Sequence, residues 1–273
     1  MVGRKICLRE DKEALAFLLG VWSADGYVGI YPKYRIYRFG IIMSANEQDL
    51  VRVYQDIAGR LGFQFKPPRY LNKRRTGIAL EINSKIVVGM LLKAGAVPRK
   101  KTETNPSVPQ WIKENPEYIK NWFRGEVLGD GSIRPEKCYV EWYRTINISR
   151  HSLLWGQLAD LVARNPKALR NKLTDSLQLA QGYIPSNIDV QIRSQYTPRM
   201  LNDEMNMLII LDIYPNTNYT INCYPKTQRI TATWAIYTES TQTIKLAKFL
   251  GFSKTPWHAT KIQKLKQIEA LKI

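Results

Sequence analysis

Two short segments carry side chains whose placement suits chemistry better than packing. LLGVWSADG spans residues 18–26 and FRGEVLGDG spans 123–131. Superposed at a constant offset of 105 residues, they align Gly20 with Gly125, Ala24 with Gly129, Asp25 with Asp130 and Gly26 with Gly131. Within each segment two small residues stand four apart, hence on one face of a helix. Such a face lets another helix backbone come close. A glycine inside a helix costs up to about 1 kcal/mol relative to alanine, and a cost repeated at matching positions predicts that the two helices pack on each other. Each helix then ends in Asp-Gly. The glycine suits the left-handed residue that follows a helix. The aspartate faces the negative end of the dipole, unfavourable by about 0.3–1 kcal/mol. Crossing the helices at their small faces brings Asp25 and Asp130 together, and two close carboxylates need a neutraliser. A hard divalent cation held by both acids, by the backbone carbonyls of Ala24 and Gly129 and by water supplies it, and Mg2+ fits that donor set. Metal held by two acids beside a basic surface points to phosphodiester hydrolysis. A single Asp-Gly would be only a turn ending a core helix; the recurrence argues for more.

The surface is basic. Among 273 residues, 41 Lys+Arg against 23 Asp+Glu leave a formal charge of +18, which favours a polyanionic partner, most simply nucleic acid. A ribosomal-type or merely solubilising surface is the plain alternative. Hydrophobic residues at 44% and charged residues at 23% exclude a disordered chain. Cys7, Cys138 and Cys223 form no CxxC pair, so neither a disulfide framework nor a cysteine zinc site follows. With only His151 and His258, a nuclease built on several histidines around one metal is disfavoured. The charged start MVGRKICLRED and the short apolar run IVVGMLL at 86–92 predict a soluble, cytoplasmic protein, neither secreted nor in a membrane.

The elements that must position the acids also repeat. After the first segment come two aromatic, β-branched strands. A helix over EQDLVRVYQDIAGRLG follows, with Leu50, Val53, Tyr54, Ile57 and Leu61 on one face. A hairpin with strands around 63–70 and 76–83 and a short helix over SKIVVGMLLKAG complete the half. After the second segment come the strand YVEWYRTINIS, the helix HSLLWGQLADLVARN, the paired strands NYTINCYPKTQ and RITATWAIYTE, and the helix STQTIKLAKFLG capped by Ser240. The pattern predicts an α+β fold of two pseudo-symmetric αββαββα halves, residues 1–97 and 117–273. Pro98, Pro106, Pro109 and Pro116 mark an extended linker over 98–116, ending at a helix start on Asn115 and Pro116. The stretch around 165–215 lacks a counterpart and reads as an insertion with its own strand, DVQIRSQY, and the apolar run MLIILDI.

LLGVWSADG and FRGEVLGDG resemble the two motifs of single-chain LAGLIDADG homing endonucleases, and the likeness extends over both halves and the linker. It implies a saddle of antiparallel sheets astride double-stranded DNA, with the motif helices at its centre and Asp25 and Asp130 holding the metal. Mg2+ would be the cofactor, with Mn2+ or Ca2+ able to take the same sites. It further implies a monomer that cuts both strands across the minor groove, leaves short 3′ overhangs, and recognises a long, mostly asymmetric target such as an intron insertion point. The setting would be cytoplasmic, nucleoid-associated or its organellar equivalent. In the family a lysine follows the last helix of each half. Lys101 fits in the first half; Lys254 is the choice in the second, with Lys261 next. Ser44, Asn46 and Ser149 could hold water near the metals. The chain departs from the pattern at Ser23 and Leu128, where an earlier acid often stands. It departs again at Glu126, an apolar position in the family, for which Arg124 or a linker lysine would be a partner.

A sheet that reads DNA needs one apolar and one polar face. RITATWAIY alternates in that way, with Thr231, Thr233 and Tyr237 outward, while the paired strand offers Thr220, Asn222, Tyr224 and Lys226, with Gln228 and Arg229 at the turn. Tyr143, Thr145 and Asn147 form the polar face of YVEWYRTINIS. In the first half Arg38, Lys66, Arg69, Lys73, Arg74 and Arg75 supply positive charge. Such strands suit the major groove, although any single residue suits a phosphate contact or plain surface better than base reading. Among rivals, Gly29-Ile30-Tyr31 evokes GIY-YIG nucleases, but Tyr37-Arg38-Phe39-Gly40 breaks their second element. An intein would need a nucleophile at the start and His-Asn at the end. The serious alternative is an RNA-splicing maturase or a non-cutting nucleic-acid-binding protein of the same architecture; a structural RNA-binding protein gives the aspartates no reason to recur.

Overall fold

A computed structural model describes residues 8–72, 75–98, 100–171 and 175–272. The first motif lies on helix α1, Lys12–Ala24, which starts where the Asp11 side chain accepts from the Ala14 N–H at 2.9 Å. Strands β1, Gly26–Tyr31, and β2, Ile36–Ser44, are joined by a 3-10 turn that Arg35 closes in the left-handed region at φ 52°. Helix α2, Leu50–Arg60, buries Leu50, Val53, Tyr54, Ile57 and Ala58, the periodic face of the sequence. Strands β3, Arg69–Tyr70, and β4, Gly77–Asn83, lead to α3, Lys85–Ala94, capped by Ser84. All pairings are antiparallel and the order is β1-β2-β4-β3, so this half is αββαββα.

The strand expected over 63–70 shrinks to two residues. Pro67 and Pro68 lack the N–H that a ladder needs, so the segment instead packs Phe63 and Phe65 inward and anchors Phe65 N–H on Gln55 Oε1 at 3.1 Å.

The linker carries two short helical turns, α4, Lys101–Thr104, and α5, Gln110–Lys113. Helix α6, Pro116–Gly129, bears the second motif; the Asn115 side chain accepts from the Glu117 N–H at 2.9 Å. There follow β5, Ser132–Arg134, β6, Tyr139–Ile148, and α7, Leu153–Arg164. The insertion then supplies β7, Leu169–Asn171, β8, Ser176–Ala180, α8, Ser186–Gln195, and α9, Arg199–Ile210. Strands β9, Asn216–Tyr224, and β10, Arg229–Glu239, precede α10, Ser240–Leu250, and α11, Thr260–Glu269. The sheet order is β5-β6-β10-β9-β8-β7. Its first four strands repeat the order of the first sheet, and the inserted hairpin adds the last two.

Two expectations are corrected here. DVQIRSQY is helical, not extended: Ile188 and Ile192, four apart, form the buried face, and Val190 is 64% exposed. The alternation of Val190 and Ile192 mimicked a strand. Ser240 is no cap. It is the first residue of α10, at φ 50°, and its N–H is spent on the Cys138 carbonyl at 3.0 Å.

The chain divides into two compact units, one of Met1–Lys100, Val108–Trp142 and Thr238–Ile273, the other of Lys101–Ser107 and Tyr143–Tyr237. Both motif helices lie in the first unit. Its core joins Phe17, Leu18, Leu19 and Trp22 of α1, Trp122, Phe123 and Leu128 of α6, and Ile262 and Leu265 of α11. The second unit buries Ile221, Ile230, Trp234, Leu158 and Leu208, and pairs Arg144 on β6 with Glu204 on α9 inside that core. Among the described residues no helix is long and apolar enough to cross a membrane.

Candidate metal and nucleic-acid site

The site begins with three missing side chains. A Cβ at Gly20 would stand 2.1 Å from the Trp122 carbonyl oxygen, and one at Gly125 would stand 2.1 Å from that of Phe17. Trp122 is the counterpart of Phe17 at the 105-residue offset, so the contact is reciprocal. α1 and α6 therefore touch backbone to backbone, as the small-residue spacing predicts. At their ends a Cβ on Gly129 would meet Ala24 Cβ at 2.4 Å and the Asp25 nitrogen at 3.7 Å. The two helix termini adjoin, and Asp25 and Asp130 follow directly.

Each aspartate is the right-handed C-cap of its helix, at φ −94° and −81°, and each is partly exposed. The following glycines are not left-handed, contrary to expectation; positive φ occurs at Gly62, Gly95 and Gly251. Gly26 and Gly131 serve a tight exit instead. A Cβ on Gly26 would lie 2.5 Å from Trp22 Cα, and one on Gly131 would lie 2.1 Å from the Val127 carbonyl oxygen. The chain turns back onto the last turn of its own helix, and only glycine fits.

Glu126 is fully buried, and its partner in the helix interface is the Ser23 hydroxyl, which donates to it. Arg124 does not fill that role as anticipated. Its guanidinium donates to the carbonyls of Leu250 and Gly251 at 2.6 and 3.1 Å and so caps α10. Two of the three departures from the motif pattern, Ser23 and Glu126, thus face one another.

Beside the helix ends sits Tyr54, with a buried hydroxyl that has no hydrogen-bond partner. Burial pushes its pKa well up, and Asp25, Glu47, Asp130 and Glu126 push it further. All four acids are close enough to act on that hydroxyl. Among the described residues no three His, Cys, Asp or Glu side chains converge as a cage of their own. A cation there would rest on two carboxylates completed by backbone and water oxygens, a set that fits Mg2+ or Ca2+.

Lys261 reaches this place from α11. Its ammonium donates to the carbonyls of Gly129 and Leu128 at 2.5 and 3.0 Å and pairs with Glu47 at 2.7 Å. Lys254 is an exposed residue of the 3-10 turn Phe252–Lys254. Lys101 opens α4 in the second compact unit. Glu47 was not anticipated, although the Ser44-x-x-Glu47 spacing is a capping-box signature, and that box forms. It employs Ser44 and Asn46, while Ser149 caps the turn at His151 with a 3.2 Å bond.

The outer face of the first sheet is organised by Glu81. Tyr27 crosses Gly40, where a Cβ would meet its ring at 2.5 Å, and donates to Glu81. Arg69 makes two bonds to the same carboxylate at 3.0 and 3.1 Å, and Arg38 lies 3.5 Å away. The Arg69 bonds hold Glu81 below the usual carboxylate range. Burial, then Glu81, raises Tyr27 to about 12. Lys66 is exposed, and Arg75 stacks over Tyr70 at 5.1 Å. Lys73 and Arg74 fall outside the described residues.

In the second unit Tyr143 is exposed, and Thr145 and Asn222 both bond the Thr233 hydroxyl at 3.1 Å. Asn222 and Thr231, expected to face outward, are 5% and 2% exposed. They occupy interior strands flanked on both sides, where longer neighbours cover short side chains. Thr231 Oγ1 and Asn147 Oδ1 are buried without a hydrogen-bond partner. Lys226 pairs with Asp175 at 2.9 Å, Arg229 stacks on Tyr224 at 4.4 Å, and Gln228 turns the hairpin at φ 47°.

Residues 12–93 match the model of the LAGLIDADG-like domain. Among solved structures, the chain is similar to the homing endonuclease I-DmoI in complex with DNA and Ca, at 13% identity and a TM-score of 0.47 over 93% of this chain and 97% of that one. It is similar to the full-length DUF199/WhiA protein from Thermatoga maritima at 11% identity and 0.45, covering 96% of this chain but only 62% of that one. The LAGLIDADG meganuclease I-CpaMI bound to uncleaved DNA is similar at 14% and 0.39, over 93% and 89%. No curated protein sequence matches the chain. The match to the LAGLIDADG-like domain thus spans the first motif helix and the first sheet, and the chain pairs two motif helices with two antiparallel sheets.

Proposed function

We propose that this protein is a site-specific endonuclease that hydrolyses phosphodiester bonds in both strands of double-stranded DNA with Mg2+, leaving short 3′ overhangs. It acts as a monomer on a long, asymmetric target, in the manner of an intron-encoded homing enzyme in the cytoplasm or an organelle. One observation carries the reading: the reciprocal contact at Gly20 and Gly125 brings Asp25 and Asp130 to adjoining helix ends.

When bound, the cation would polarise the scissile phosphate and lower the pKa of its water. Asp25 and Asp130 would hold that cation. Lys101 and Lys254 are proposed to orient the attacking water or steady the phosphate. The net charge of +18 draws the polyanion in. Arg38, Lys66, Arg69 and Arg75 in one sheet, and Tyr143, Thr145, Tyr224, Lys226, Gln228 and Arg229 in the other, are proposed to contact DNA. Thr231 Oγ1 and Asn147 Oδ1, buried without partners, are acceptors that an ordered water or a base edge would satisfy.

The reading is tested by selecting cleavable sites from a randomised duplex library in Mg2+ and mapping both nicks. A single recovered site cut in both strands with a short stagger is expected; random nicking or no cutting by folded protein would overturn it.

A further inference from the structure

The second motif helix ends on a cation that the chain itself supplies. Lys261 donates to two carbonyls of the last turn of α6 and to Glu47, and its side chain is 16% exposed. An ammonium has three N–H donors, and these three oxygens use all of them. They are also the oxygen types that a hard divalent cation takes, at the helix end where the dipole is negative. The Gly129 carbonyl beside Asp130 has two lone pairs, but a divalent metal on one would stand next to the ammonium on the other, and two cations that close repel strongly. Asp25, Glu47, Asp130 and Glu126 all act on the buried, unpartnered Tyr54 hydroxyl, so negative charge gathers near these helix ends.

The geometry points to Lys261 as a tethered counter-cation that closes the Asp130 side of the site to divalent metal until DNA arrives. This inference rests on the reading of Asp25 and Asp130 as metal-binding acids. A metal reaching Asp130 takes the Gly129 carbonyl only as the ammonium leaves it, and the ammonium needs another anion to leave for. A DNA phosphate is that anion. Metal loading is thereby coupled to DNA binding, and the DNA-free protein binds metal weakly.

The experiment is calorimetric titration of the DNA-free full chain with Ca2+, comparing wild type with Lys261→Met, Lys261→Gln and Lys261→Arg, each checked for folding by circular dichroism. The Met and Gln variants should bind Ca2+ about tenfold tighter than wild type, toward the low end of typical coupling between sites. The Arg variant should behave as wild type, and Asp130→Asn should abolish the gain. Equal affinity in wild type and the neutral variants, still lost on Asp130→Asn, would overturn the lysine's role and leave the metal site standing. Absence of saturable binding in folded Lys261→Met or Lys261→Gln would overturn both.

Discussion

Helices α1 and α6 carry small residues at the same spacing, and a Cβ at Gly20 or at Gly125 would stand 2.1 Å from a carbonyl oxygen of the other helix. Their polar residues do not match. Ser23 corresponds to Leu128, and Val21 corresponds to Glu126. The unmatched pair meets, hydroxyl against buried carboxylate. Steric identity and polar asymmetry thus coexist in one interface. Two copies of α6 alone would set Glu126 against Leu128 and lose the Ser23 hydroxyl bond to a buried acid. The pair therefore favours α1 against α6 over either helix against itself.

The largest expected effect breaks the symmetric part. Gly20→Ala and Gly125→Ala should each destabilise the fold by about 4 kcal/mol or more, measured by urea denaturation. The control Gly59→Ala, with nothing within 4 Å of its Cβ, should be neutral or mildly stabilising. Unequal costs at Gly20 and Gly125 would contradict the reciprocal contact. A smaller effect probes the asymmetric part. Ser23→Ala should cost about 0.5–1.5 kcal/mol by removing a hydrogen bond to the buried Glu126, and Ser23→Ala with Glu126→Val should cost less than the two single changes summed. Additive losses would show that the two do not interact.

The two sheets extend the comparison. Each neutralises two cations with one acid: Glu81 holds Arg69 and Arg38, and Asp175 holds Lys226 and Arg170. Glu81 is 14% exposed and Asp175 36%. The better-buried clamp should withhold more charge, since exposed pairs are weak. Glu81→Gln should steepen the log–log salt dependence of DNA binding, by up to about 0.9 per phosphate newly contacted, and Asp175→Asn should steepen it less. The reverse order would show that burial does not govern which cations are available. The smallest effect is alkaline. The Tyr27 pKa is raised to about 12, above the unfolded value near 10. Its contribution to stability is complete below pH 10 and is lost as pH rises toward 12. Tyr27→Phe should flatten that part of the stability profile, and an unchanged profile would remove the assignment.

What was legible in the residues was what repeats or obeys local rules. The motif helices, the adjoining acids, both sheets and the Asn115–Pro116 helix start follow from spacing and capping. Short-range ambiguity hid α8, because Val190 and Ile192 alternate while Ile188 and Ile192 keep a helical step. Pro67 and Pro68 did announce a broken strand, and their missing N–H groups explain its two-residue length. The Lys261 contact to Gly129 joins residues 132 apart, a long-range meeting for which no local pattern exists. Asn222 lies on β9, which the inserted hairpin turns from an edge strand into an interior one, and Thr231 lies on β10 between β6 and β9. Glu47 was within reach of the capping-box spacing, and only its second role, facing Lys261, needed the fold.

The central claim is that the adjoining acids Asp25 and Asp130 act together on one DNA duplex. Its direct test is cleavage of a selected target, in Mg2+, by wild type, Asp25→Asn and Asp130→Asn, with binding measured in parallel. Wild type should cut both strands, and each variant should bind the duplex comparably while failing to make a double-strand break. Full double-strand cutting by either variant would contradict the account.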